Sequence, residues 1–128
     1  MKLSTRYGLV GLGGLALLTG GHWIREISSD EAPALVYILG VLPNVAAAIA
    51  IPFVFMGAFS DQKKDASLRS LRNWFFASLV VSCAGLFGWE FIQRTSDRLV
   101  FDIDDLVATV FGSFLSLVIF AAITKRPQ

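Results

Sequence analysis

The side chains able to do chemistry gather in one stretch, from Glu90 to Ser116. Glu90, Gln93 and Arg94 stand three and four apart, so on a helix they share one face. Arg98 follows in a short connection. Asp102, Asp105, Thr109, Gly112 and Ser116 then recur at spacings of three and four. They form one polar and small stripe on a segment otherwise built of Leu, Val, Phe and Ile. Carboxylates can hold a cation or accept hydrogen bonds, and the arginines can pair with an anionic group. A structural use of the same residues is also open. Glu90 would then pair with Arg94, Asp102 would cap a helix, and Asp105 would sit in its first turn as a favourable anion. Acid–base catalysis by the carboxylates would need a nucleophile. No Ser-His-acid motif is present. Gly11 to Gly14 is no phosphate loop, because no strand precedes it and no Lys-Ser/Thr pair follows.

The elements that must carry these groups are set by composition. The chain has 128 residues, 55% of them hydrophobic and only 16% charged. A typical soluble domain carries about 25% charged residues. The solvent for this chain is therefore a lipid bilayer. A crossing needs roughly 20 apolar residues, and four runs qualify, at about 7–24, 33–59, 74–92 and 105–124. The expected fold is all-α: a four-helix transmembrane bundle forming a single integral membrane domain over residues 1–128, multi-pass in a cell inner membrane. The first run could also be read as a secretory signal, with Lys2 and Arg6 before it and Thr19-Gly20-Gly21 near its end. It lacks an A-x-A-type site and is long for such a segment, so it is expected to be retained.

Lys and Arg counts in short loops set orientation. Lys2, Arg6, Lys63, Lys64, Arg69, Arg72, Lys125 and Arg126 fall on one side of an alternating four-span path. Arg25, Arg94 and Arg98 fall on the other. This places both termini in the cytoplasm and the Glu90–Asp105 cluster at the outer rim. Trp23, Tyr37, Trp74 and Trp89 lie near run ends, as an interfacial aromatic belt requires. Pro43 and Pro52 interrupt the second run, and Pro43-Asn44 is expected to bend or half-break it. Ala46, Ala47, Ala48 and Ala50, like Gly8, Gly11, Gly13, Gly14, Gly20 and Gly21, would allow close helix approach. Polar groups in lipid turn inward. The Asp102–Ser116 stripe is therefore expected to face the third helix or a small polar cavity.

Several classes are excluded or disfavoured. A formal net charge of +1 gives no footprint for nucleic acid. The lone Cys83 excludes an internal disulfide and reads as a small packing residue. The lone His22 makes a poor metal site, since zinc takes three or four protein ligands. No metal site and no cofactor is expected.

The stretch Glu90-Phe91-Ile92-Gln93, then Arg98, then Phe101 to Gly112 resembles the signature of VanZ-like membrane proteins. That pattern has a glutamate and glutamine three apart near a helix end, then an arginine-containing loop. An aspartate follows, with a polar residue four later and a glycine seven later; here these are Asp105, Thr109 and Gly112. The family often has asparagine where Thr109 stands. The resemblance covers the last third of the chain in detail and the rest in hydropathy. It implies a small bacterial membrane protein associated with teicoplanin resistance, and no established reaction. The candidate ligand-binding residues are Glu90, Gln93, Arg94, Arg98, Asp102, Asp105 and Thr109. Membrane lipids are the expected surroundings, with a glycopeptide, a lipid-linked precursor or a lipid headgroup as the ligand. The alternative is a non-catalytic accessory or scaffold subunit of a larger membrane complex. An enzyme is the third reading, and a non-enzymatic role is preferred to it.

Overall fold

The computed structural model describes residues 1–27, 32–95 and 102–124. Within them the chain forms four helices and no strand: α1 (Leu3–Ile27), α2 (Pro33–Gln62), α3 (Leu68–Arg94) and α4 (Ile103–Ile123). The all-α four-helix bundle expected from the apolar runs is the observed fold. The helices overrun the apolar runs where polar residues supply caps. Ser67 opens α3 by accepting from Ser70 N at 3.2 Å, and Asp102 opens α4 by accepting from Asp104 N at 2.9 Å. Each fills one of the backbone donors that a helix start leaves without a partner. Three helices, α2, α3 and α4, are long and apolar enough to cross a membrane. α1 has the length, 25 residues, but its glycines dilute it and it does not join that set.

The helices run up and down in sequence, and α2 is the central one, packed on all three others. Glycine makes the α1–α2 contact close. A Cβ added at Gly14 would lie 2.8 Å from the Ala50 Cβ, and one at Gly11 would lie 2.9 Å from Val54 Cγ2. In lipid, acyl chains are as apolar as Leu, so helices associate through this close contact rather than by escape from water. Large apolar side chains such as Leu12, Val80 and Phe114 are accordingly about 60% exposed and face outward.

Pro43 and Pro52 do not break α2, which runs unbroken through both. The expected half-break at Pro43 is thus absent, and at Pro52 the reason is visible. Proline has no N–H, so the Ala48 carbonyl four residues earlier loses its helical partner. The Ser116 hydroxyl, fully buried on α4, donates to that carbonyl at 2.9 Å. A neighbouring helix supplies the missing bond, which is how prolines are tolerated in membrane helices.

The same contact corrects in part the expected facing of the polar stripe on α4. Gly112 abuts α2, where an added Cβ would lie 2.7 Å from the Val45 carbonyl oxygen. The lower half of the stripe, Gly112 and Ser116, therefore packs against the small residues of α2 rather than against α3, while Asp102 and Asp105 at its start line a polar cavity, the other expected facing. The α3–α4 contact is the slighter one, and it includes Cys83. Ser113 gives its proton to the Thr109 carbonyl at 2.8 Å, so the Cys83 thiol, 3.2 Å away, donates to Ser113.

Candidate functional site: a polar cleft at one end of the bundle

The end formed by the close of α1 and α3 and the start of α2 and α4 carries a cleft of about 480 Å³. All four helices line it: Arg25 from α1, Tyr37, Gly40 and Val41 from α2, Gln93 from α3, and Asp102 and Asp105 from α4. The volume falls within the roughly 300–1,000 Å³ of small-molecule sites.

Asp105 stands in the first turn of α4, where the helix dipole favours an anion. The Asn44 side chain lies within its hydrogen-bonding reach, and Arg25 is close enough to act on its charge. Asp104, on the same turn, has the Tyr37 hydroxyl within reach. Asp102 caps α4 with its side chain and is exposed at the mouth. Gly40 and Val41 present little side-chain bulk, which leaves the volume open between these polar walls.

Glu90 lies behind the wall rather than on it. It is 1% exposed, and its Oε1 accepts from Gln93 Nε2 at 3.3 Å. Its Oε2 is buried with no hydrogen-bond partner. Burying a polar atom without a partner costs about 1–3 kcal/mol, and more for a charged group. Gln93 thus connects a strained acceptor in the interior to the cleft.

The structure gathers Gln93, Asp102 and Asp105 in one cleft, with Glu90 directly behind them. It separates two other candidates. Thr109 is fully buried one turn below, and its hydroxyl donates to the Asp105 carbonyl on its own helix at 2.9 Å. Arg94 is exposed at the end of α3, next to Gln93, and is not among the residues lining the cleft. Arg98 lies outside the described residues. The Glu90 carboxylate accepts from the Gln93 amide three residues on, and the backbone N–H of Asp102 lies near it. Asp102 does act as the helix cap that the structural reading of the sequence allowed.

No family model, curated protein or solved structure matches the chain. The site is therefore judged on its own geometry. Sequence reasoning missed Arg25, Tyr37 and Asn44 as contributors. Tyr37 suits a belt aromatic in sequence, and it is 56% exposed, yet it also walls the cleft. Asn44 stands out in sequence only as the neighbour of Pro43. What could have found all three was the register of α1 and α2 against α4, which no spacing within one helix reveals. Elsewhere, His22 Nε2 lies 3.4 Å from Glu26 Oε1 on the exposed face of α1. Among the described residues, no three His, Cys, Asp or Glu side chains are gathered as a metal ion would need.

Proposed function

We propose that this chain is a small bacterial inner-membrane protein of the VanZ-like kind, whose cleft engages the polar part of an envelope molecule. The observation that carries this reading is the cleft itself. Four helices bring a guanidinium, a phenol, an amide and two carboxylates around one open volume. Opposite charges on facing walls suit a headgroup that carries both signs. Arg25 would take an anionic group, while Asp102 and Asp105 would take an ammonium or hydroxyls. The ligand is a glycopeptide, a lipid-linked precursor or a lipid headgroup, each an amphiphile held at a membrane rim. The excess of Lys and Arg at the opposite end of the bundle supports a path of four crossings with the cleft outward and both termini in the cytoplasm. Among the described residues no evident nucleophile stands beside the carboxylates, and the reading is of binding rather than catalysis.

The alternative, an accessory subunit, draws on Gly13 and Gly20. Both lie off the α2 contact, and an added Cβ at either would meet nothing within 4 Å. Such glycines leave α1 open to close approach by another helix.

Teicoplanin susceptibility of a host expressing the chain, measured beside binding of teicoplanin to the purified protein, tests the two readings. Arg25→Ala and Asp105→Asn are expected to abolish binding and any resistance while the protein inserts normally. If both variants behave as the parent, and Gly13→Leu or Gly20→Leu instead disrupts a co-purifying complex, the accessory reading replaces the first.

A further inference from the structure

The opposite end of the bundle carries a second cavity, of about 300 Å³, that the proposed function leaves unused. Lys2, Leu3, Ser4, Ser60, Asp61, Lys63, Lys64, Ala66 and Leu71 line it. Three features of its wall have one chemistry in common. Lys2, Lys63 and Lys64 set three ammonium groups against the single carboxylate of Asp61. Among the described residues none of the three lysines forms an ion pair. The cavity also meets the start of α1, where no acidic side chain stands in the first turn. The first hydrogen bond there runs from Arg6 N to the Lys2 carbonyl, so the amides of the turn before it have no helical acceptor. A helix start of this kind binds anions through its free N–H groups and its dipole.

Ser60 supplies an independent observation. It is 8% exposed, lines this cavity, and its buried hydroxyl has no hydrogen-bond partner. A serine inside a membrane helix ordinarily gives its proton to a carbonyl of the preceding turn, as Thr109 and Ser113 do in α4. Ser60 does not, and its hydroxyl is left without a partner in the wall of the cavity. Leu3, Ala66 and Leu71 add an apolar floor beside these donors.

We propose that this cavity binds one phosphate group, that of an anionic phospholipid headgroup. Ammonium groups, free backbone amides and a hydroxyl donor match phosphate oxygens, and the apolar floor matches the glycerol and the first acyl carbons. Lysines at such a rim also attract anionic lipid through the surface field, at about fivefold in affinity for each Lys or Arg. A defined site differs from that field in stoichiometry and in which cations matter.

Native mass spectrometry of the full chain in detergent, titrated with phosphatidic acid, phosphatidylcholine or inorganic phosphate, reads both properties. One phosphatidic acid per chain is expected, bound at least about tenfold more tightly than phosphatidylcholine. Lys63→Gln with Lys64→Gln is expected to weaken it by more than about twentyfold. Arg69→Gln with Arg72→Gln removes the same charge from the same rim but touches no wall of the cavity, and is expected to cost much less. Ser60→Ala, a minimal change that keeps the helix, is expected to weaken binding about threefold. Inorganic phosphate bound as tightly as phosphatidic acid would keep the phosphate site and make its ligand soluble. Equal losses from the lysine and arginine pairs, or an undiminished Ser60→Ala, would overturn the proposal in favour of a diffuse field. Helix content by circular dichroism guards each comparison against misfolding. Teicoplanin binding at the other end does not enter the readout, so the two readings fail separately.

Discussion

The two ends of the bundle solve the same problem in opposite ways. Near the start of α1 and the end of α4, Tyr7, Phe53, Phe75 and Phe120 form a close aromatic cluster. The Phe75 and Phe120 rings stack with centroids 4.0 Å apart and 12° between planes. Tyr7, fully buried, shares a hydrogen bond with Thr124 at 2.8 Å. At the far end the interior holds Glu90, with one oxygen bonded to Gln93 and the other to nothing, behind an open cleft. In lipid, apolar character does not distinguish inside from outside, because both faces of a helix may be apolar. Polar groups make the distinction. The aromatic end pairs its buried phenol internally. The cleft end leaves acceptors and charges on view, which is the behaviour of a surface built for a partner molecule rather than for rigidity.

The aromatic cluster should therefore carry stability and take no part in binding at the cleft. Phe75→Ala is the strongest blow to it, because that ring touches both Phe53 and Phe120. In a water-soluble core such a truncation costs about 3–5 kcal/mol. The transfer part of that cost largely falls away in lipid, where the cavity and lost contacts remain. We expect about half the loss, read as a lower thermal midpoint in detergent, with the teicoplanin affinity of the surviving folded protein unchanged. Affinity that falls in proportion to stability would erase the contrast between the ends.

How much of this was legible in the sequence follows the same division. The four helices were plain, because a crossing imposes a length and an apolar composition on each run. Their ends were less so: Leu68 to Asn73 continues α3 before its apolar run begins, and only the Ser67 cap marks the start. The polar cluster was half legible. Glu90, Gln93, Asp102 and Asp105 share a neighbourhood because short spacing puts them on adjoining helix ends. Arg25 and Tyr37 join them through the register of other helices, which spacing within one segment does not encode. The packing of Gly112 and Ser116 on α2 eludes the sequence for a related reason. Helical periodicity says which residues share a face, while the neighbour that face meets was decided by α2. There Val45 and Ala48 admit Gly112, and Pro52 leaves the Ala48 carbonyl in need of Ser116.

A smaller test probes the aromatic end through the Tyr7–Thr124 hydrogen bond. Tyr7→Phe removes the hydroxyl and keeps the ring stacked at 6.0 Å on Phe120. Thr124, the C-cap of α4, loses its side-chain partner. The expected cost is about 1 kcal/mol, the net worth of one hydrogen bond, seen in the midpoint of unfolding. A cost several times larger would mean that this pair, rather than the stacked rings, holds α1 against α4.

The smallest expected change in stability, and the one that sharpens the contrast most, is Glu90→Gln. The substitution keeps the shape and an oxygen for Gln93 to bond. It removes a charge whose second oxygen the protein leaves without a partner. Removing one member of a satisfied buried ion pair costs about 3–5 kcal/mol. Here no such satisfied pair is broken, and a neutral amide left with an unfilled donor is no worse placed than a carboxylate left with an unfilled acceptor. The unfolding midpoint should stay within the change expected for about 1 kcal/mol in either direction. Teicoplanin affinity should nevertheless fall, because Gln93 forms part of the cleft and takes its orientation from Glu90. A large drop in the midpoint with affinity preserved would reverse the assignment, making Glu90 a structural residue and this end of the bundle no different in kind from the other.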